Sequence, residues 1–245
     1  MSTNSKIEWT ESTWNPVTGC TKISEGCQHC YAERLTVRLQ AMGNPKYTEG
    51  FRVVLHPESL EDPIKWKKPS MIFVNSMSDL FHQDVPLEYI QNVFDIMCRA
   101  QQHTFQVLTK RAERLAELAD DLIWPNNVWM GVTVENRNHI NRIDALRTVP
   151  SAIRFISFEP LLGDIGAVNL ENIHWAIVGG ESGPGARPMD EMWVLNLKEQ
   201  CENQNTLFYF KQWGGVNKKQ KGRVLLGRTW DNMPEVVKTE KVLFA

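Results

Sequence analysis

Val128-Trp129-Met130-Gly131-Val132-Thr133-Val134-Glu135-Asn136-Arg137 is an apolar, β-branched run that stops abruptly in a carboxylate, an amide and a guanidinium. A strand with one wet face alternates apolar and polar residues, whereas a strand of a parallel sheet covered by helices is apolar on both faces. This run is of the second kind. Met71–Val74, Phe105–Leu108, Ile153–Phe158, His174–Val178 and Leu207–Phe210 read the same way, with Val53–Leu55 and the stretch before Cys20 as weaker candidates. Helical spacing lies between the runs, as in Leu87, Ile90, Phe94 and Met97, or Trp193, Leu197 and Cys201 within Met189–Cys201. Strands alternating with helices imply right-handed βαβ units and a parallel sheet. Six or seven such units in 245 residues predict an α/β fold, a full or partial parallel (βα) barrel over residues 1–213. Residues 214–245 form a basic extension packed on the barrel or trailing from it.

The polar residues at the end of each run carry the chemistry. In a parallel barrel the C-terminal strand ends open on one face, where active sites are built. Asn75-Ser76-Met77-Ser78-Asp79, Thr109-Lys110-Arg111, Glu135-Asn136-Arg137, Glu159-Pro160, Gly179-Gly180-Glu181-Ser182-Gly183 and Lys211-Gln212-Trp213 therefore converge on one mouth. Glu159 and Lys110 are the candidate catalytic residues. A carboxylate abutting an apolar strand is costly unless paired, and Lys110 with Arg111 suits an anionic ligand. The plainer alternatives are that loops are polar anyway and that these cations form structural ion pairs with Glu159 or Glu135.

Hydrophobic residues at 42% and charged residues at 23% allow a large core and exclude a disordered chain. Met1 to Thr10 is polar and carries Lys6 and Glu8, and no stretch is apolar for long enough to cross a bilayer. The expectation is a cytoplasmic protein without membrane contact. In that reducing compartment the five cysteines are metal ligands, catalytic groups or core residues, not a disulfide framework. A net charge of −2 gives no global case for nucleic-acid binding.

Three of those cysteines share one loop: Gly19-Cys20-Thr21-Lys22-Ile23-Ser24-Glu25-Gly26-Cys27-Gln28-His29-Cys30-Tyr31. Thiolates suit zinc or an iron–sulfur cluster, and spacing alone does not choose between them. Zinc would take a fourth ligand, such as His29, whereas a 4Fe–4S cluster on three cysteines keeps one iron open. Cys98 and Cys201 fall on apolar helical stripes and read as core.

With this motif and Trp14-Asn15-Pro16 before it, the chain resembles the radical S-adenosylmethionine (SAM) superfamily. More narrowly it resembles a phage-associated, radical-SAM-like family marked by three cysteines. The likeness extends to Ser157-Phe158-Glu159-Pro160-Leu161-Leu162 and Gly179-Gly180-Glu181-Ser182-Gly183. It implies a barrel of the radical SAM type with Cys20, Cys27 and Cys30 as cluster ligands and SAM on the open iron. A reduced cluster in such enzymes passes one electron to SAM, which splits into methionine and a 5′-deoxyadenosyl radical that abstracts hydrogen from a substrate. The resemblance places Asn75, Ser76, Ser78 and Asp79 where superfamily members hold the SAM amino group, and His29 where an aromatic lies by the adenine. Glu135 joins them as a cofactor-side candidate at its strand end. The first cysteine spacing is six residues here against the usual three, and the closing spacing of two is kept.

The remaining motifs carry less. Gly179 to Gly185 is able to present N–H groups to a phosphate, or is a tight turn. The six histidines show no i, i+4 pair. Lys211, Lys218, Lys219, Lys221, Arg223 and Arg228 have no acid among them between Asn203 and Trp230. That segment, 211–228, is the candidate contact for a nucleic acid, with Trp213 and Trp230 beside it to stack on bases. The expected function is a SAM-cleaving enzyme, fed by an electron donor, that modifies or repairs a substrate of the nucleic-acid or nucleotide class. The rival readings are a non-enzymatic, zinc-containing nucleic-acid-binding protein and a cluster kept as a structural or redox element.

Overall fold

The computed structural model describes residue 5, residues 7–217 and residues 222–235. The chain runs β1 (Ser12–Trp14), β2 (Val17–Thr18), α1 (Tyr31–Ala41), β3 (Val54–Leu55), α2 (Asp62–Lys65) and β4 (Met71–Val74). It continues through α3 (Leu87–Arg99), β5 (Thr104–Thr109), α4 (Ala112–Leu118), β6 (Val128–Thr133), α5 (Asn141–Arg147) and β7 (Ile153–Phe158). A helix-free connection leads to β8 (Trp175–Gly179), and α6 (Glu191–Asn203) and β9 (Leu207–Gln212) complete the series. One sheet holds seven strands in the order β1-β4-β5-β6-β7-β8-β9, every neighbour parallel.

The sheet curls into a partial barrel, and the ring contacts on its inner face demonstrate it. Trp9, just before β1, stands 4.8 Å from the ring of Phe73 on β4 and 6.2 Å from Trp175 on β8. In a flat sheet those two strands would lie ~19 Å apart, four spacings of ~4.8 Å. Phe73, Trp129, Phe155, Trp175, Ile177 and Tyr209 close around the Trp9 indole. Gly131 makes room for them, since a Cβ there would fall 2.5 Å from the Phe155 ring. The outward residues, such as Ile72, Val107, Met130, Ile156 and Val178, pack on the apolar stripes of α3 to α6. Burial on both faces is the reason these strands lack alternation.

One expectation about strands needs correction. Val54–Leu55 does not join the barrel but pairs antiparallel with Val17–Thr18 in a separate ribbon, because Pro16 O and Tyr89 Oη take the next hydrogen bonds with His56 N. The first barrel strand is the short Ser12–Trp14, in the stretch before Cys20. Beyond β9, residues 222–235 return to the barrel edge: Phe210 N donates to Trp230 O at 2.9 Å, and Trp230 is buried with Leu225. Among the described residues no helix is long and apolar enough to cross a membrane.

Candidate functional site

The C-terminal strand ends surround a cavity of about 510 Å³. Cys20, Cys27, His29 and Cys30 line one side, Asn75, Ser76, Ser78 and Asp79 the β4 end, Lys110 and Arg111 the β5 end, and Glu159, Lys211 and Gln212 the far wall. Trp9, Phe73 and Leu108 make an apolar floor. Glu135 does not line it. With no exposed surface, it stands behind the cysteine loop.

Each arm of that loop is held by a buried ion pair from a different strand. Gly19 enters it with φ +81°, and a Cβ there would lie 1.8 Å from Arg52 O, so only glycine fits this left-handed, crowded position. Beside it Arg111 Nη1 donates to Cys20 Sγ at 3.6 Å and to Asp79 Oδ2 at 2.9 Å, while Nη2 donates to Thr21 O and Oγ1, both at 3.1 Å. Burial, then the Asp79 charge, pushes the Cys20 thiol up to about 11, against the opposing pull of Arg111. Asp79 also accepts from Thr109 Oγ1, Phe81 N and Lys110 N, which leaves it committed to the protein on both oxygens. Asn75 sits at φ 59°, a conformation asparagine tolerates. Its Oδ1 accepts from Val17 N, and its buried Nδ2 has no partner among the described residues.

Glu135 holds the other arm. Its carboxylate accepts from Ser24 Oγ at 2.5 Å and Arg142 Nη1 at 2.7 Å, with Lys110 Nζ at 3.8 Å. Gly26 passes so close that a Cβ would meet Glu135 Oε1 at 2.4 Å, and Ser24 Oγ also lies 3.7 Å from Cys27 Sγ. From the side, Arg187 joins Glu181 to Gln28 Oε1 and Glu25 O. Burial alone would raise the Glu181 carboxyl, yet the Arg187 hydrogen bonds hold it below its usual range. Cys201 is buried in the helix layer, its thiol pushed up to about 12 by burial, and Cys98 lies half-buried on α3.

Across the cavity Lys211 Nζ bridges both Glu159 oxygens at 2.7 and 2.8 Å. Gln212 Nε2 donates to Ser182 Oγ, and its buried Oε1 has no partner among the described residues. The Gly-rich loop turns against the end of β9, with Gly180 N donating to Gln212 O, Gly183 N to Gly215 O and Ala186 N to Gly183 O. Of the basic segment, Lys211 faces Glu159, Arg223 pairs with Asp231, and Arg228 lies over the Trp230 ring at 3.7 Å. Lys218, Lys219 and Lys221 lie outside the described residues. Sequence reasoning missed Arg142, Ser24, Thr21, Arg187 and Trp9 as parts of the site. Ser24, Thr21, Arg187 and Trp9 carry no local signal, since each acts across a long span of chain, whereas Arg142 stands only seven residues from Glu135.

All three thiols are free and half-buried on one cavity wall, a donor set that fits an iron–sulfur cluster. Among the described residues no three His, Cys, Asp or Glu side chains converge on a single-ion site. A cluster makes no such demand, because each thiolate meets a separate iron.

No curated protein matches the chain. Among solved structures it is similar to a spore photoproduct lyase mutant with bound AdoMet and dinucleoside spore photoproduct, at 11% identity and a TM-score of 0.45. That similarity covers 80% of this chain and 62% of the other, so the chain spans less than two thirds of the length of the protein it matches. A family model described as protein of unknown function (DUF5131) matches residues 4–234, almost the whole of the barrel and its returning segment, and the chain belongs to that family.

Proposed function

We propose that the protein is an iron–sulfur, radical SAM-like enzyme with its centre on Cys20, Cys27 and Cys30. The observation that carries this is the meeting of the three thiols with the β4, β5 and β7 strand ends around one cavity. Cys20, Cys27 and Cys30 would hold a 4Fe–4S cluster, which with SAM would supply one-electron reductive cleavage, the electron coming from an external donor.

The chain's own residues give that chemistry its frame. Arg111 and Glu135 with Arg142 fix the two arms of the cysteine loop. The unpartnered Asn75 Nδ2 offers a donor to the carboxylate or ribose of SAM, and Ser76 and Ser78 line the same stretch. Asp79 contributes through Arg111, because its oxygens are already taken. Lys110 brings a cation to the cavity, and His29 stands beside the last two cysteines. The apolar floor of Trp9, Phe73 and Leu108 limits water, and Glu159 with Lys211 presents paired charges to a substrate. A nucleic-acid or nucleotide substrate rests on the basic C-terminal residues.

Anaerobic purification followed by iron, sulfide and zinc analysis tests the centre, and methionine release from SAM after dithionite reduction tests the reaction. Equimolar zinc without sulfide would replace the reading with a zinc protein. Iron and sulfide without SAM cleavage would leave a structural or redox cluster. For the substrate class, binding to DNA and RNA should fall steeply with salt, and less steeply once Lys218, Lys219, Lys221 and Arg223 are neutralised together.

A further inference from the structure

Arg111 is placed to do more than neutralise Asp79. Its side chain is 11% exposed, and its two terminal nitrogens serve different elements. Nη1 spans Cys20 Sγ and Asp79 Oδ2, whereas Nη2 takes both oxygens of Thr21, the residue after Cys20. On the far side of Thr21, His82 lies 2.8 Å from Oγ1 through Nε2. His82 Nδ1 accepts from Asp84 N, so in the neutral ring Nε2 carries the hydrogen and donates to the threonine. The guanidinium is thus locked from both ends, with one N–H on a thiol that the proposed function makes a ligand. A pair needed for Asp79 alone would not engage the cysteine loop at three points.

Such an N–H has a definite electronic consequence. Hydrogen bonds to the sulfurs, net charge and solvent exposure set the potential of an iron–sulfur centre. Reduction adds one electron, here from a low-potential donor, and spreads negative charge onto the ligand sulfurs. A fixed cation and N–H donor in a part-buried site stabilise that charge. Resting on the cluster reading, we propose that Arg111 is a positioning residue that raises the reduction potential of the centre through its hydrogen bond to Cys20. Lysine cannot reproduce this, since it lacks the fork that serves sulfur, carboxylate and carbonyl together.

The experiment compares wild type, Arg111→Gln and Arg111→Lys, each anaerobically reconstituted with iron and sulfide. Iron and sulfide content of the wild type tests the cluster reading by itself. Only the potentials of the variants, from dithionite titration followed by visible absorbance and electron paramagnetic resonance, test the role of Arg111. In Arg111→Gln the reduced-to-oxidised ratio at fixed potential should fall about tenfold, a shift of ~59 mV to lower potential for one electron. Arg111→Lys should fall between this variant and the wild type, with an altered resonance signal. If Arg111→Gln fails to hold iron, Arg111→Lys decides, and a potential below wild type supports the proposal. A potential equal to wild type in the variants that hold iron would overturn it. So would loss of iron from both variants, which makes Arg111 purely structural.

Discussion

At the scale of single residues the cysteines divide by environment. Cys20, Cys27 and Cys30 line the cavity, whereas Cys201 is packed among apolar helix residues and Cys98 sits on α3 away from the mouth. Replacing any one of the three by alanine should abolish the visible absorbance of anaerobic protein, and Cys98→Ala should leave it unchanged. Equal iron content in the triple variant would sink the ligand assignment. The ion pair behind the loop makes a separate claim about stability. Glu135 has no exposed surface and Arg142 is 5% exposed, so truncating the arginine leaves a buried carboxylate with the Ser24 hydroxyl as hydrogen-bond donor and only a long ion pair to Lys110, 3.8 Å away. Arg142→Met should cost about 3–5 kcal/mol, measured by urea unfolding. A cost below about 1 kcal/mol, the range of exposed pairs, would show that solvent already reaches the carboxylate.

At the scale of elements the sequence was most legible where burial is symmetric. Val128–Thr133 and Ile153–Phe158 announce themselves by apolar residues on both faces, and α3 by Ile90, Phe94 and Met97 at helical spacing. The bounds and register of Ser12–Trp14 were not legible, because three residues with two hydroxyls show no periodicity. Its strand character comes from pairing with Ile72–Val74, beyond both α1 and α2 in the chain. Val54–Leu55 misled for the opposite reason: β-branched residues report a pleated environment, not which sheet supplies it. Inside β6, Gly131 is the point where curvature and packing meet, facing Phe155 on β7. Gly131→Ala should cost about 1–3 kcal/mol through overpacking. Phe155→Leu in the same chain should recover part of that loss in a double-mutant cycle, and additive costs would mean the ring is not the obstacle.

Across the whole molecule the candidate site is made by contacts that no local pattern encodes. Ser24 finds Glu135 across 111 positions and Arg187 finds Glu25 across 162, so the strand ends and the cysteine loop were legible in the sequence, but the pairs that lock them together were not. The same long-range packing buries titratable groups, and this sets how stability responds to acid. Burial lowers the imidazole pKa of His56, His103 and His174. For His56 the Lys46 charge adds to burial and Glu58 opposes it, and for His174 Arg154 adds to it. The hydrogen bonds agree with neutral rings. His103 Nε2 serves the carbonyls of Pro63 and Trp66 while its Nδ1 has no partner among the described residues, and His174 Nδ1 accepts from Arg154 N. A second proton would therefore meet no acceptor at His103 and a competing N–H at His174. An unfolded chain takes up these protons near its ordinary pKa of about 6.5, the folded one only lower. Between those values the unfolded state binds more protons, so stability rises with pH there. The contribution is complete above about 6.5 and is lost as pH falls through the folded values. Melting temperature should thus hold steady from pH 8 to about 7 and decline from about 6.5 downward, before the carboxylates of Glu25 and Glu181, both held below 4.5, begin to protonate. In His103→Gln, which has no ring nitrogen to charge, the decline should be shallower than in the wild type. A wild-type melting temperature that is flat from pH 7 to 5 would contradict the burial of these three rings as the cause of acid sensitivity.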